Sequence, residues 1–286
     1  MSEWQTWIGR QERREDRVDP ALAQRFRATF NLAPGDTVPQ GIHFCLCTPD
    51  APTAALGEDG HPRRDDTGLM PPIPLPRRMW AGSAIAFHRP FGVNDAIERT
   101  SRIAAITPKD GSTGPLVFVE IDHQTYARGA LAVEERQTLV YRDAAPADAE
   151  LSPPARGGTS FDPAAWAAHS SLTPDSRLLF RYSALTFNTH RIHYDLPYAR
   201  DIERYRGLVV HGPLIASLLL QLAAREFGDN ALASFAFRGM SPAIADEPLH
   251  LVLREADGAV ELAAFAGDGR QVCRADAALA SAGVRG

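Results

Sequence analysis

The segment Phe187–Arg200, FNTHRIHYDLPYAR, gathers two histidines, one asparagine, one aspartate and two arginines into fourteen residues. An imidazole titrates near pH ~6.5, so a histidine placed here can exchange protons under working conditions. Three chemistries fit these side chains. His190, His193 and Asp195 have a spacing that occurs in metal sites, a histidine with a polar neighbour makes an acid–base pair, and a solvated loop needs no chemistry at all. A metal centre would need a fourth ligand or a second cluster that the sequence does not supply, so no metal and no cofactor is expected.

The elements that must position this segment come in a repeated order. After it, VVHGPLIASLLLQLAARE (Val209–Glu226) predicts a helix with Pro213 in its first turn and Gly228 past its end. Leu214, Ile215, Leu218, Leu219, Leu220 and Leu222 cover more than one face, so other elements must enclose that helix. The segments SFAFRG, LHLVLRE, AVELAAFA and QVCRADAAL then alternate as strands, with an Asp257-Gly258 turn between the second and third.

The first half runs in parallel. DPALAQRFRATF predicts a helix capped by Asp19, and the short apolar GIHFCLC stands where the second half has its enclosed helix. RMWAGSAIAFHRP, RTSRIAAI, an Asp110-Gly111 turn, PLVFVEI and ALAVEERQTLVYR follow. The expectation is an α+β protein of two tandem units, each a helix wrapped by an antiparallel sheet. The units span residues 1–142 and 163–286, joined by an exposed Ala/Pro/Gly-rich linker over 143–162.

Composition excludes several classes of function. Thirty basic against thirty-five acidic residues leave a net charge of −5, which offers no global field for nucleic acid. No apolar run reaches the ~18 residues of a membrane helix. MSEWQTWIGRQERRED lacks the apolar centre of a signal peptide. Cys45, Cys47 and Cys273 are too few and too unevenly spaced for a disulfide framework or a zinc cage. A cytoplasmic setting is the simplest expectation.

YSALTFNTHRIHYDLPYA (Tyr182–Ala199), followed by GLVVHGPLIASLL (Gly207–Leu219), resembles the MaoC-like family of R-specific enoyl-CoA hydratases and hydroxyacyl-thioester dehydratases. The first half, with PPIPLPRRMWAGSAIAFHRP and LAVEERQTLVYR, resembles the degenerate N-terminal unit of its double hot-dog subgroup. His193 falls on the family's catalytic histidine, with Ile192 before it, and Gly212 on the glycine whose amide holds the thioester carbonyl. Asn188 stands where the family motif has its catalytic aspartate, and Phe187, His190 and Arg191 replace its glycine, asparagine and proline. Leu220 stands where some relatives have a serine.

The resemblance implies addition of water to an enoyl thioester, or the reverse. His193 would move the proton and Asn188 would orient the water, since an amide accepts no proton as a base. The Gly212 amide, at a helix start, would stabilise the enolate oxygen. His190, Arg191, His211 and Arg89 are candidates to line the substrate site. His190 and Arg191 are also expected to order the loop, and His211 to partner the helix start. Asp195 has two readings, orienting His193 or capping the following turn. Arg181, Arg191, Arg200, Arg204 and Arg206 form either a solvated basic face or a site for the phosphates of coenzyme A. Arg78 and Arg89 could line the tunnel between the units, and His88 and His123 read as structural.

The implied partner is an acyl-CoA or acyl-carrier thioester, with a homodimer left open. The favoured substrate is a short branched dicarboxylyl-CoA, 3-methylfumaryl-CoA (mesaconyl-CoA) or itaconyl-CoA. The alternatives are a 3-hydroxyacyl-thioester dehydratase of fatty-acid or polyketide metabolism and a non-catalytic thioester-binding subunit.

Overall fold

A helix with an apolar surface all round is stable only if every side is covered, and the last helix of the chain, α3 (Gly212–Phe227), has this property. Leu214, Ile215, Leu219, Leu220 and Leu222 are all buried. Pro213 opens α3 and Gly228 closes it, as its sequence predicts. The computed structural model describes residues 3–65, 67–111, 114–154, 160–256 and 258–281.

The first half supplies β1 (Gln11–Arg17), α1 (Pro20–Thr29), β2 (Arg77–Phe87), β3 (Ala96–Gly111), β4 (Gly114–Ala127) and β5 (Ala130–Arg142). The second supplies β6 (Ala168–Leu172), α2 (Ser176–Thr186), α3, β7 (Leu232–Gly239), β8 (Leu249–Ala256), β9 (Ala259–Ala266) and β10 (Gln271–Leu279). The strands form one ten-stranded sheet in the order β1-β3-β4-β5-β2-β7-β10-β9-β8-β6, every pair antiparallel. This is the α+β double hot-dog fold.

Asp19 caps α1, its carboxylate accepting from the amide of Ala21 at 2.8 Å. In the first half the enclosed segment is a single 3₁₀ turn, Ile42–Cys45, in place of a helix, although all four of its residues are buried. Phe26 and Ile42 from that half share one hydrophobic cluster with Leu219 and Phe235 from the other. Two further clusters complete the core. One, with Ile73, Ile103, Ile121 and Tyr141, lies within the first half. The other, with Ile192, Tyr198, Tyr205, Val209 and Ile244, lies under the histidine-rich segment.

Three elements lie outside those expected from the sequence. β1 (QERREDR) is almost wholly charged and β6 (AHSSL) is short, and they are the two edges of the sheet, where charge and brevity discourage further pairing. α2, capped by Asp175 through the amide of Leu178 at 3.0 Å, sits directly before the histidine segment.

Asp110 and Gly111 were expected as a turn but are the last paired residues of β3, opposite Pro115 and Gly114. The turn residues 112 and 113 lie outside the described residues. Gly258 takes φ +81 between β8 and β9, as a tight hairpin requires, and Asp257 lies outside the described residues. In the expected linker, residues 155–159 are likewise outside them. The stretch before is largely exposed but tethered, because Arg204 donates to the Ala149 carbonyl at 2.6 Å and Arg206 to that of Pro153 at 2.9 Å.

The two halves join where β2 pairs with β7, from Gly82 opposite Arg238 to Ala86 opposite Ser234. A Cβ on Gly82 would run into the carbonyl of Phe237, which is backbone and cannot rotate aside. Gly82→Ala should therefore lower stability by about 1–3 kcal/mol, the range for overpacking. A urea midpoint equal to that of the parent would show that the seam tolerates a methyl group.

Candidate active site

α2 ends when Phe187 enters the left-handed region, φ 48, and this reversal redirects the chain into the histidine segment. The Asn188 carboxamide oxygen accepts from the amide of His190 at 2.9 Å, making a local turn. The first half then grips the loop. Asp59 carbonyl accepts from the Arg191 amide at 2.9 Å, Gly60 carbonyl from the Thr189 hydroxyl at 2.5 Å, and Glu58 carbonyl from the Arg191 guanidinium at 3.0 Å. Gly60 is at φ +87, and a Cβ there would run into the carbonyl of Thr189, so only glycine lets the two loops meet.

Four imidazoles lie in a row. His61 packs on His190 at 4.2 Å between ring centroids, His190 meets His193 edge-on at 5.4 Å, and His193 stacks on His211 at 3.6 Å and 19°. His193 Nδ1 lies 2.7 Å from the Val209 carbonyl, which can only accept, so Nδ1 carries the proton and Nε2 is left as the acceptor. Val209 is itself held to this loop, its amide donating to Ile192 at 3.0 Å. His211 Nε2 is 2.8 Å from the Ser183 hydroxyl.

Burial is the main influence on all four rings, because the charged form loses its water. It pushes His193 down to about 4, opposed by the Val209 carbonyl. It pushes His61 down to about 4, with the Arg78 charge next in importance and Asp59 opposing. His190 and His211 are driven well below the ordinary imidazole range by burial and by neighbouring imidazoles. The row is therefore neutral at physiological pH.

Gly212 begins α3 directly after His211, and its amide finds no acceptor among the described residues. A Cβ at Gly212 would meet only the Trp80 carbonyl oxygen, at an ordinary 3.8 Å. Packing therefore does not demand glycine here; the space above the amide is open to a ligand.

His193, Asn188, Gly212, His190 and His211 thus come together. Arg191 is near them, but its guanidinium is committed to Asp195 at 2.7 Å and stacks on Tyr198 at 4.2 Å, so it braces the loop and is not free for substrate. Asp195 also accepts from the Tyr198 amide at 3.1 Å, the capping alternative, and does not orient His193. Arg89 is not part of the cluster. It lines a separate cavity with Asp229 and Asn230, beyond the far end of α3, roughly 24 Å of helix from Gly212. Arg206 pairs with Glu247 and Arg204 holds the linker, so neither is a free phosphate site. His123 is half-buried beside Ser101 at 2.7 Å and His88 pairs with Glu134 on the surface, both away from the row.

Sequence reading missed Asp59 and His61. The Asp59 carboxylate lies 2.9 Å from His61 Nδ1, and Asp59, His61 and His190 place three ligand atoms within 4.8 Å of one another. The signal was GEDGHP, an Asp-Gly turn next to a histidine, but it lies 129 residues from its partner loop.

Neutral buried histidines couple stability to pH. Their folded pKa values, about 4 for His61 and His193, lie below the unfolded value near ~6.5, so the unfolded chain takes up protons first on acidification. Stability should be level above pH ~6.5 and fall from there towards pH ~4. Urea midpoints should drop steadily between pH 7 and 5, and less steeply in His61→Gln; a flat profile would contradict the burial of these rings.

Residues 41–245 match the model of the hydroxyacyl-thioester dehydratase type 2 family. A mesaconyl-C(4)-CoA hydratase of Chloroflexus aurantiacus is 42% identical over 276 residues, covering 94% of this chain and 95% of that protein. The structure of HtdX from Mycobacterium tuberculosis superposes with a TM-score of 0.67 at 19% identity, over 95% of this chain and 100% of its own. A second Mycobacterium tuberculosis protein, described as a double hot dog, gives a TM-score of 0.54 at 15% identity over 96% of each chain. No helix among the described residues is long and apolar enough to cross a membrane. With the motif, the fold and a family match over more than half its length, the chain belongs to the hydroxyacyl-thioester dehydratase type 2 family of MaoC-like hydratases and dehydratases.

Proposed function

We propose that this protein is a hydro-lyase that adds water to the enoyl thioester of a short branched dicarboxylyl-CoA, 3-methylfumaryl-CoA (mesaconyl-CoA) being the favoured substrate. The observation that carries the reaction type is the His193 tautomer: Nδ1 is held by Val209, which leaves Nε2 able to take a proton on a ring stacked against His211 at the start of α3. The substrate follows from the 42% identity to a mesaconyl-C(4)-CoA hydratase. That relationship favours the dicarboxylyl substrate over a fatty or polyketide acyl chain, and an enzyme over a thioester-binding subunit.

In this reaction His193 Nε2 takes a proton as water attacks the β-carbon. The double-bond electrons move onto the thioester oxygen, where the Gly212 amide and the α3 dipole meet the charge. The resulting imidazolium delivers a proton to the α-carbon, giving the 3-hydroxyacyl thioester. Asn188 accepts from His190 through its oxygen, so its amide nitrogen is what remains to orient the water. Ser183 and His211 support the far face of the His193 ring. Of the arginines flanking the motif, Arg181 and Arg200 are exposed and form no ion pair with a described residue, and the coenzyme A phosphates fall to them in this reading.

His193→Ala should lower hydration of 3-methylfumaryl-CoA by about 10²–10⁴-fold, followed as loss of the conjugated thioester's ultraviolet absorbance. Near-parental turnover in that variant would refute the assignment. Gly212→Ala should keep the parental urea midpoint, since the methyl meets only an ordinary contact, yet lose rate by crowding the carbonyl site; equal rates would remove Gly212 from the mechanism.

The pH profile gives a separate check. With its pKa near 4, His193 keeps the base form well below the usual imidazole range, so kcat/KM should hold down to about pH 5. Asn188→Asp places an anion beside the ring, favours imidazolium, and should move the acid limb to higher pH. An acid limb that stays in place would mean that position 188 does not sense His193.

A further inference from the structure

A cavity of about 430 Å³ opens beside the imidazole row, lined among others by Asp59, His61, Arg63, Arg64, Arg77 and Arg78. Three of its four guanidinium groups are committed. Arg63 donates to the Leu56 carbonyl at 3.1 Å, Arg64 to that of Leu75 at 3.4 Å, and Arg77 pairs with the buried Glu203. Arg78, half-buried on β2, forms no hydrogen bond or ion pair with any described residue. A guanidinium partly withdrawn from water and left without a hydrogen-bonded anion is costly unless a ligand supplies one.

Its position suits one ligand in particular. Arg78 precedes Trp80 by two strand residues, about 7 Å, and the Trp80 carbonyl oxygen lies 3.8 Å from where a Gly212 Cβ would stand. This stretch of β2 thus runs from the start of α3 to the cavity. The Arg78 charge also bears on Asp59, His61 and His190, where it acts behind the larger effect of burial.

A metal ion is the competing occupant, since Asp59, His61 and His190 have ligand atoms within 4.8 Å of one another. Two observations weigh against it. The Asp59 carboxylate already accepts from the His61 amide at 3.0 Å and lies 2.9 Å from His61 Nδ1. The positive charge of Arg78, which has no hydrogen-bonded partner among the described residues, repels a cation and attracts an anion.

We propose that Arg78 is the subsite for the free carboxylate of a dicarboxylyl thioester, and that it selects substrates bearing a carboxylate on the β-carbon. This rests on the hydratase reading above. In 3-methylfumaryl-CoA the β-carbon carries both the methyl group and the carboxylate. The carboxylate must therefore be held near the histidine that activates water, and the cavity lined by His61 and Arg78 is joined to His193 through the His61–His190 and His190–His193 ring contacts. A guanidinium fork matches a carboxylate through two parallel hydrogen bonds.

The test compares affinities, measured by calorimetry, for 3-methylfumaryl-CoA and 3-methylcrotonyl-CoA, in which methyl replaces the carboxylate. The parent should prefer the dicarboxylyl thioester by about 10- to 100-fold, the range for charge-assisted hydrogen bonds. That preference should largely collapse in Arg78→Gln and survive in part in Arg78→Lys, which keeps the charge without the fork. Equal parental affinities, or an Arg78→Gln variant with an undiminished ratio, would overturn the subsite. If the glutamine variant does not fold, the lysine variant decides by the same ratio. Tight one-site binding of Zn²⁺ to the parent, lost in His61→Ala, would also overturn it in favour of a cation site. Binding is read apart from turnover, so a parent that discriminates but hydrates neither thioester would refute the hydratase reading and leave the carboxylate subsite standing.

Discussion

The hydrogen bond between His193 Nδ1 and the Val209 carbonyl, 2.7 Å long, is the interaction on which the rest of the site depends. It settles which nitrogen carries the proton, and so which nitrogen can accept one. A backbone carbonyl orients the ring without the strong basicity that a carboxylate partner would confer. Burial then sets the pKa near 4. In the proposed hydration a base this weak is, once protonated, a strong acid, and a proton taken from water is readily surrendered to carbon. A reversible addition across a double bond needs both halves of that exchange from one position.

The two halves of the chain contribute unequally. The second provides α3, the histidine loop and the carbonyl that holds it. The first has only the buried turn Ile42–Cys45 where a central helix would stand. It supplies Asp59, Gly60 and His61 instead, with backbone carbonyls that clasp Thr189 and Arg191. The continuous sheet across β2 and β7 makes such a clasp possible, since it fixes how the loops of one half reach those of the other. A site built this way needs both halves even though the motif lies in one.

Charge near the site divides by burial and partner. Arg77, Arg191, Arg204 and Arg206 look alike in sequence, yet each is held by a carboxylate or a carbonyl and works as a brace. The Arg77–Glu203 pair is buried in both partners, so removing either would strand a charge. Arg78 is next in sequence to Arg77 but on the opposite face of β2, and it alone of the two is left to a ligand.

The sequence by itself determined the succession of the last four strands, the enclosed helix and the tandem plan, because periodicity, proline and glycine act locally. The resemblance to the MaoC-like motif made His193, Asn188 and Gly212 candidates, since these lie on two neighbouring segments. The edge strands β1 and β6 were not legible, as edges are chosen for charge and brevity over pattern. Nor could composition tell bracing arginines from a free one, because partners such as Glu203 and Ala149 are remote in the chain. The pairing of Gly60 with Thr189 spans 129 residues, and no local propensity encodes such a contact. Only tertiary structure decided that Asp59 and His61 join the histidine row, that Arg89 lies at the wrong end of α3, and that burial makes every imidazole there neutral. Desolvation is a property of the packed surroundings, and a residue's neighbours in sequence do not set it.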